Sequence, residues 1–83
     1  MAGAYSDYVP LDDETKAIFA QFQAEINAQA NGLELVAEKV STQVVNGLNY
    51  RFLAVAGDKK FNVVIWRHSN GDIKVTDVNE VTA

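Results

Sequence analysis

The chain has 83 residues, a formal net charge of −4 at pH 7 and no cysteine. This length allows one domain, 1–83, with one modest hydrophobic core, and 48% of the residues are hydrophobic, so we expect the chain to fold. The acidic balance disfavours nucleic acid and anionic membranes as partners, and the lack of cysteine excludes disulfides, thiolate metal sites and a cysteine nucleophile.

A helix is predicted over 12–31, after an irregular N-terminal segment at 1–11. Asp12 is a favourable N-cap residue, and the acidic residues after it lie where the helix dipole stabilises negative charge. Gly32 is expected to end the helix by taking the left-handed C′ position. Four apolar residues recur at helical spacing and predict one buried stripe: Ile18, Phe19, Phe22 and Ile26.

After the helix, apolar residues alternate with polar ones, which predicts strands. Turn residues divide this part of the chain, 33–78, into four runs at about 33–44, 50–55, 61–66 and 73–78. Connectors this short require antiparallel neighbours, so the runs predict a meander, to which 1–11 could add a short fifth strand. The predicted class is therefore α+β, with one N-terminal helix packed on a four- to five-stranded antiparallel sheet.

The first predicted hairpin turns at Asn46-Gly47, which is one of the strongest sequence signals for a tight turn. A two-residue turn would have Asn46 and Gly47 at its centre, flanked by Val45 and Leu48. Taken locally, the pattern favours a plain turn between two strands. The other interpretation is that the turn presents Val44 and Val45 as a rigid apolar tip.

The sequence offers little for catalysis. His68 is the only histidine, and the nearest hydroxyl nucleophiles, Ser69 and Thr76, are predicted on the same hairpin. One hairpin cannot supply a nucleophile, an oriented base and an oxyanion pocket together. No metal-ligand spacing or phosphate-binding glycine pattern occurs. We therefore predict a protein that is not an enzyme and needs no cofactor or metal.

The start of the chain lacks the basic and apolar regions of a signal peptide, and no segment is apolar for long enough to span a bilayer. Together with the lack of cysteine, this favours a cytoplasmic location, with secretion after trimming left open.

Residues Gln43-Val44-Val45-Asn46-Gly47 resemble the Gln-x-Val-x-Gly signature of the cystatin family, and Leu48-Asn49-Tyr50 is similar to the Thr-Asn-Tyr that follows it there. Gly3 precedes the acidic helix start at the distance expected of the N-terminal glycine of that family. The resemblance extends from about Gly3 to Val78. The short length and the lack of cysteines make the chain most similar to the stefin, or type-1, branch.

The resemblance implies a helix gripped by a curved five-stranded sheet, and a reversible, tight-binding inhibitor of papain-like cysteine proteases. In that family, the N-terminal trunk and two hairpin loops enter the protease cleft together. Ala2 and Ala4 would flank the trunk glycine. The protease-binding residues that the resemblance implies are Gly3, Ala4, Gln43, Val44, Val45, Asn46, Gly47, Trp66, His68, Ser69 and Asn70.

The sequence departs from the family in both hairpins. Asn46 stands where the family commonly has a small residue, and the second hairpin lacks the Leu-Pro or Pro-Trp pair usual there. Trp66 could replace that pair, or it could be an ordinary strand residue. The alternative function is a non-inhibitory interaction module of the same fold. A monomer is expected, and domain swapping through an opened first hairpin would give a dimer instead.

Overall fold

The computed structural model describes residues 3–81 and has an α+β architecture, in which two helices pack on a five-stranded antiparallel sheet. Its elements in chain order are β1 (Val9–Pro10), α1 (Asp13–Gln21), α2 (Gln23–Gln29), β2 (Val36–Val45), β3 (Gly47–Ala56), β4 (Lys59–His68) and β5 (Ile73–Val81). The strands lie in the sheet in the order of the chain. The predicted meander and the short N-terminal strand are therefore confirmed. Within residues 3–81, no helix has the length and apolarity needed to cross a membrane.

Asp12 caps α1, as predicted. Its Oδ1 accepts a hydrogen bond from the backbone N–H of Thr15 at 2.8 Å, and the Thr15 hydroxyl accepts one from the Asp12 N–H at 2.9 Å. This reciprocal box satisfies backbone donors that have no partner within the helix. Hydrogen bonds to the Asp12 carboxylate, first from the Thr15 backbone N–H and then from the Thr15 hydroxyl, lower the pKa of the Asp12 carboxyl below its usual value. The cap is therefore a carboxylate at neutral pH.

The prediction of one continuous helix over 12–31 is wrong, because the helix is interrupted at Phe22. Phe22 has φ −109° and ψ 15°, and its N–H bonds the carbonyl of Phe19, three residues back. The apolar stripe nevertheless continues across the interruption, since Phe22 packs against the core and Ile26 is fully buried. Residues 13–29 contain neither glycine nor proline, so the sequence has no local signal for the break.

The end of α2 also differs from the prediction. The helix ends at Gln29, so the C′ position falls on Asn31, with φ 58°, instead of Gly32. Gly32, with φ 84°, is the next residue, and its N–H donates to the carbonyl of Asn27 at 2.8 Å. This is the Schellman pattern of helix termination, and it uses two consecutive left-handed residues.

Residues 33–35 do not belong to β2, although they continue its alternation. The backbone N–H of Leu35 donates to Oδ1 of Asn27, and the Leu35 carbonyl accepts from Nε2 of Gln23. Helix side chains thus satisfy backbone groups that a neighbouring strand would otherwise bind. Leu35 is nevertheless buried, as the alternation of this run predicts.

The sheet has an inner face, which packs on the helices, and an outer face, which has no helix on it. Between Ala37 and Lys39 a register shift adds one residue to β2, so the inward positions change from odd to even numbers there. β5 continues to Val81, three residues beyond the predicted end at 78. The buried apolar core consists of Ile18, Phe19, Ile26, Ala30, Leu35, Val40, Tyr50, Phe52, Ala54, Phe61, Val63 and Ile65.

Candidate functional site

The first hairpin is tighter than the predicted two-residue turn, and that prediction is wrong. β2 and β3 stay paired as far as Val45 and Gly47, so Asn46 is the single residue at the tip. Gly47 has φ +103°, and a Cβ at that position would overlap the carbonyl oxygen of Arg67 on β4. Only glycine allows the chain to reverse there and to lie this close to the neighbouring strand.

The two valines before the tip are presented differently. Val44 is 64% exposed, whereas Val45 is half-buried. Successive side chains of a strand point to opposite faces, so the hairpin displays them in two directions. The interpretation of the hairpin as an apolar tip therefore rests chiefly on Val44.

The N-terminal segment, residues 3–11, begins beside this tip. The N–H of Gly3 donates to the carbonyl of Val44 at 2.8 Å. Gln43 Nε2 donates to the Gly3 carbonyl at 2.9 Å, and Gln43 Oε1 accepts from Nδ2 of Asn49 at 3.0 Å. Gln43 thus ties the segment to both strands of the hairpin, and Ala4 is exposed beside it. Ala2, the other predicted neighbour of Gly3, lies outside the described residues.

Three side chains of the second hairpin contact Asn46. Nε1 of Trp66 donates to the Asn46 carbonyl at 3.1 Å, and the Ser69 hydroxyl donates to Oδ1 of Asn46 at 2.9 Å. Nε2 of His68 lies 3.4 Å from Nδ2 of Asn46. Asn46 therefore links the two hairpins through these contacts, in addition to the pairing of β3 with β4. Trp66 is half-buried in β4, and it also contributes to the tip through this bond.

The second hairpin is held mainly by its own polar groups. Nδ1 of His68 accepts from the N–H of Asn70 at 3.0 Å, and the His68 N–H donates to the carbonyl of Asp72 at 2.7 Å. The Trp66 and His68 rings meet edge to face, with centroids 4.8 Å apart. Ser69 and Asn70 are exposed at the turn.

All eleven predicted site residues lie at one end of the sheet, which we call the tip surface. It consists of Gly3, Ala4, residues 43–47, Trp66 and residues 68–70. Sequence reasoning did not count Asn49 among the site residues, although Asn49 belongs to the Leu48-Asn49-Tyr50 run that carries the resemblance and its amide holds Gln43. Within residues 3–81, no three His, Asp or Glu side chains come together as metal ligands.

The link through Asn46 gives a first prediction. Asn46→Ala removes the side-chain contacts with Ser69 and His68 but keeps the backbone carbonyl that Trp66 binds. We expect the free energy of unfolding to fall by about 1 kcal/mol, the usual net value of such bonds. Urea unfolding followed by Trp66 fluorescence measures the change. Asn79→Ala is the control, because the Asn79 amide contacts Asp77 on its own strand, and equal losses in both variants would contradict the prediction.

The chain was also compared with known proteins. No protein-family model matches the sequence, and no curated protein matches it either.

Proposed function

We propose that the chain is a reversible, tight-binding inhibitor of papain-like cysteine proteases, with a stefin-like form of the cystatin fold. The observation that carries the proposal is the convergence of three distant segments on the tip surface. Gly3, Asn46 and Ser69 belong to different parts of the chain, and hydrogen bonds join the first hairpin to each of the other two segments. The family resemblance assigns protease contact to the same three segments.

Val44 is the apolar anchor of this proposal. It is 64% exposed, and its β-branched side chain has few rotamers to lose when a protease cleft covers it. The backbone around it is already ordered by pairing with β3 and by the bond from Gly3. A preformed tip gives up little conformational entropy on docking, so a compact interface can bind tightly.

The same pairing explains how the tip would block a protease without being cut. A substrate has to lie extended in the cleft, with its backbone free to bond the enzyme. β2 pairs with β3 along one edge, and on the other edge the Val44 carbonyl accepts the N–H of Gly3. In the proposed complex, the tip covers the catalytic thiolate without offering it a correctly placed peptide bond.

Titration of papain and of a lysosomal cathepsin tests the proposal. We expect stoichiometric, reversible inhibition by the unmodified chain, which should remain uncleaved. Val44→Asp should weaken inhibition at least ~100-fold, because it removes a buried valine contact and puts a carboxylate into a desolvated interface. Since Val44 is exposed in the free protein, the variant should stay folded.

Val36→Asp is the matched control. Val36 is the same residue type on the same strand, is 59% exposed and lies at the opposite end of β2. Its substitution should leave inhibition unchanged. The proposal fails if the unmodified chain does not inhibit at micromolar concentration, or if the two substitutions weaken inhibition equally.

The polar second hairpin favours a second candidate, a non-inhibitory interaction module of the same fold. The Ser69 hydroxyl and the His68 ring face Asn46, so they serve the contact between the hairpins. A folded chain that binds no papain but forms dimers in size-exclusion chromatography would select this candidate.

A further inference from the structure

The N-terminal segment lies over one cation on the outer face of the sheet. The guanidinium carbon of Arg51, on β3, is 3.9 Å from the centroid of the Tyr5 ring and 5.3 Å from that of Tyr8. The Tyr8 hydroxyl extends further across the sheet and donates to Oδ1 of Asn62 on β4 at 3.3 Å. Both tyrosines therefore turn away from the core and close over Arg51.

Ser6 fixes the backbone between these tyrosines. Its N–H donates to the carbonyl of Thr42 at 2.8 Å, and its hydroxyl accepts from the Thr42 N–H at 3.0 Å. The Ser6 carbonyl accepts from the hydroxyl of Ser41, which is fully buried and is the register partner of Arg51. The bond from the Thr42 N–H is exposed to water, and a single exposed bond of this kind contributes little net stability.

Arg51 adds a second attraction between the segment and the sheet. Its Nε is buried and has no hydrogen-bond partner within residues 3–81. The electron-rich faces of Tyr5 and Tyr8 attract the guanidinium, and the attraction strengthens as water is removed. Lifting the segment off the sheet would break these contacts.

We propose that Arg51 is the positioning residue for the start of the chain: it clasps Tyr5 and Tyr8 to the outer face and so keeps Gly3 and Ala4 on the tip surface. For its consequence in protease binding, the inference rests on the proposed function. The clasp itself does not, because it is a property of the free protein. When the segment is clasped, it is already ordered before the protease binds. When it is detached, a smaller fraction of the molecules is competent to bind the protease.

Hydrogen exchange followed by NMR on the full chain tests the clasp directly. The Ser6 and Thr42 amides report on docking of the segment, and the Val63 amide reports on the sheet. In Arg51→Met, which keeps the apolar stem and loses the cation, we expect both docking amides to exchange about 3- to 30-fold faster. Arg51→Lys should restore part of the protection, since an ammonium also binds aromatic faces. Lys60→Met, an exposed cation on the outer face of β4, should change nothing.

Papain affinity of the same variants tests the link to inhibition. Arg51→Met should bind papain more weakly, by at most the factor by which the docked fraction of the segment falls. The exchange of the Val63 amide should be unchanged. Arg51→Lys should recover part of the affinity. Unchanged Ser6 exchange in Arg51→Met would overturn the clasp. Papain affinity that stays unaltered in a variant whose docked fraction has fallen at least ~2-fold would overturn the role of Arg51 in positioning for the protease. If the unmodified chain binds no papain, the proposed function fails, and the exchange experiment still decides the clasp.

Discussion

Gly47→Ala should lower the free energy of unfolding by about 3 kcal/mol or more and abolish inhibition. Two costs combine at this residue. A φ of +103° is unfavourable for any residue with a Cβ, and the new methyl group would overlap the Arg67 carbonyl, a backbone atom that can move only if β3 and β4 separate. Because Gly47 pairs with both Val45 and His68, that separation would disturb both hairpins of the tip surface.

Gly71→Ala isolates the first of these costs, the backbone strain. Gly71 has a nearly identical φ of +99°, but a Cβ there would meet no atom within 4 Å. We therefore expect only the backbone strain, about 1–2 kcal/mol, and inhibition within a few-fold of normal. Urea unfolding and papain titration of both variants provide the comparison. Equal destabilisation by the two substitutions would show that the close approach of β3 to β4 is not what requires glycine.

Phe52→Ala should destabilise the fold by about 3–5 kcal/mol, the range observed when a buried aromatic ring is removed. Phe52 has no exposed surface and lies at the centre of β3. Its ring meets that of Phe19 edge to face at 5.1 Å and lies 6.4 Å from that of Tyr50. The substitution therefore removes a contact between α1 and the sheet as well as a contact within the sheet, and in a domain of this size that loss is a large share of the total stability.

Leu53→Ala is the control for Phe52→Ala. Leu53 follows Phe52 in the chain but points to the outer face and is half-buried, so its truncation should cost about 1 kcal/mol. Equilibrium urea unfolding distinguishes the two, and a Phe52→Ala variant already unfolded without urea also agrees with the prediction. Midpoints that agree within error would contradict the assignment of Phe52 to the centre of the core.

The local patterns of the sequence predicted the elements well and their partners only in part. Periodicity identifies which side chains share a face, which is why the stripe of Ile18 and Ile26 and the burial of Leu35 were predictable. It does not identify what binds the backbone. The segment at 33–35 alternates like a strand, yet its backbone bonds Gln23 and Asn27.

The candidate site also combines features that the sequence predicted with features that it did not. The resemblance to cystatins named the eleven residues, and the structure brings them to one end of the sheet. The single-residue tip at Asn46 could not be read from Asn-Gly, because that tip depends on how closely Gly47 approaches β4. Likewise, no spacing in the sequence connects Arg51 with Tyr5 and Tyr8, which lie more than 40 residues away.

The sequence by itself determined the α+β class, the cap at Asp12, the antiparallel meander and the buried stripe of the helices, since each depends on residues a few positions apart. Tertiary structure decided the break at Phe22, the one-residue tip and the clasp of the N-terminal segment. The tip and the clasp are set by strand register and by packing between distant parts of the chain, and a one-residue shift such as the bulge before Lys39 changes which side chains can meet.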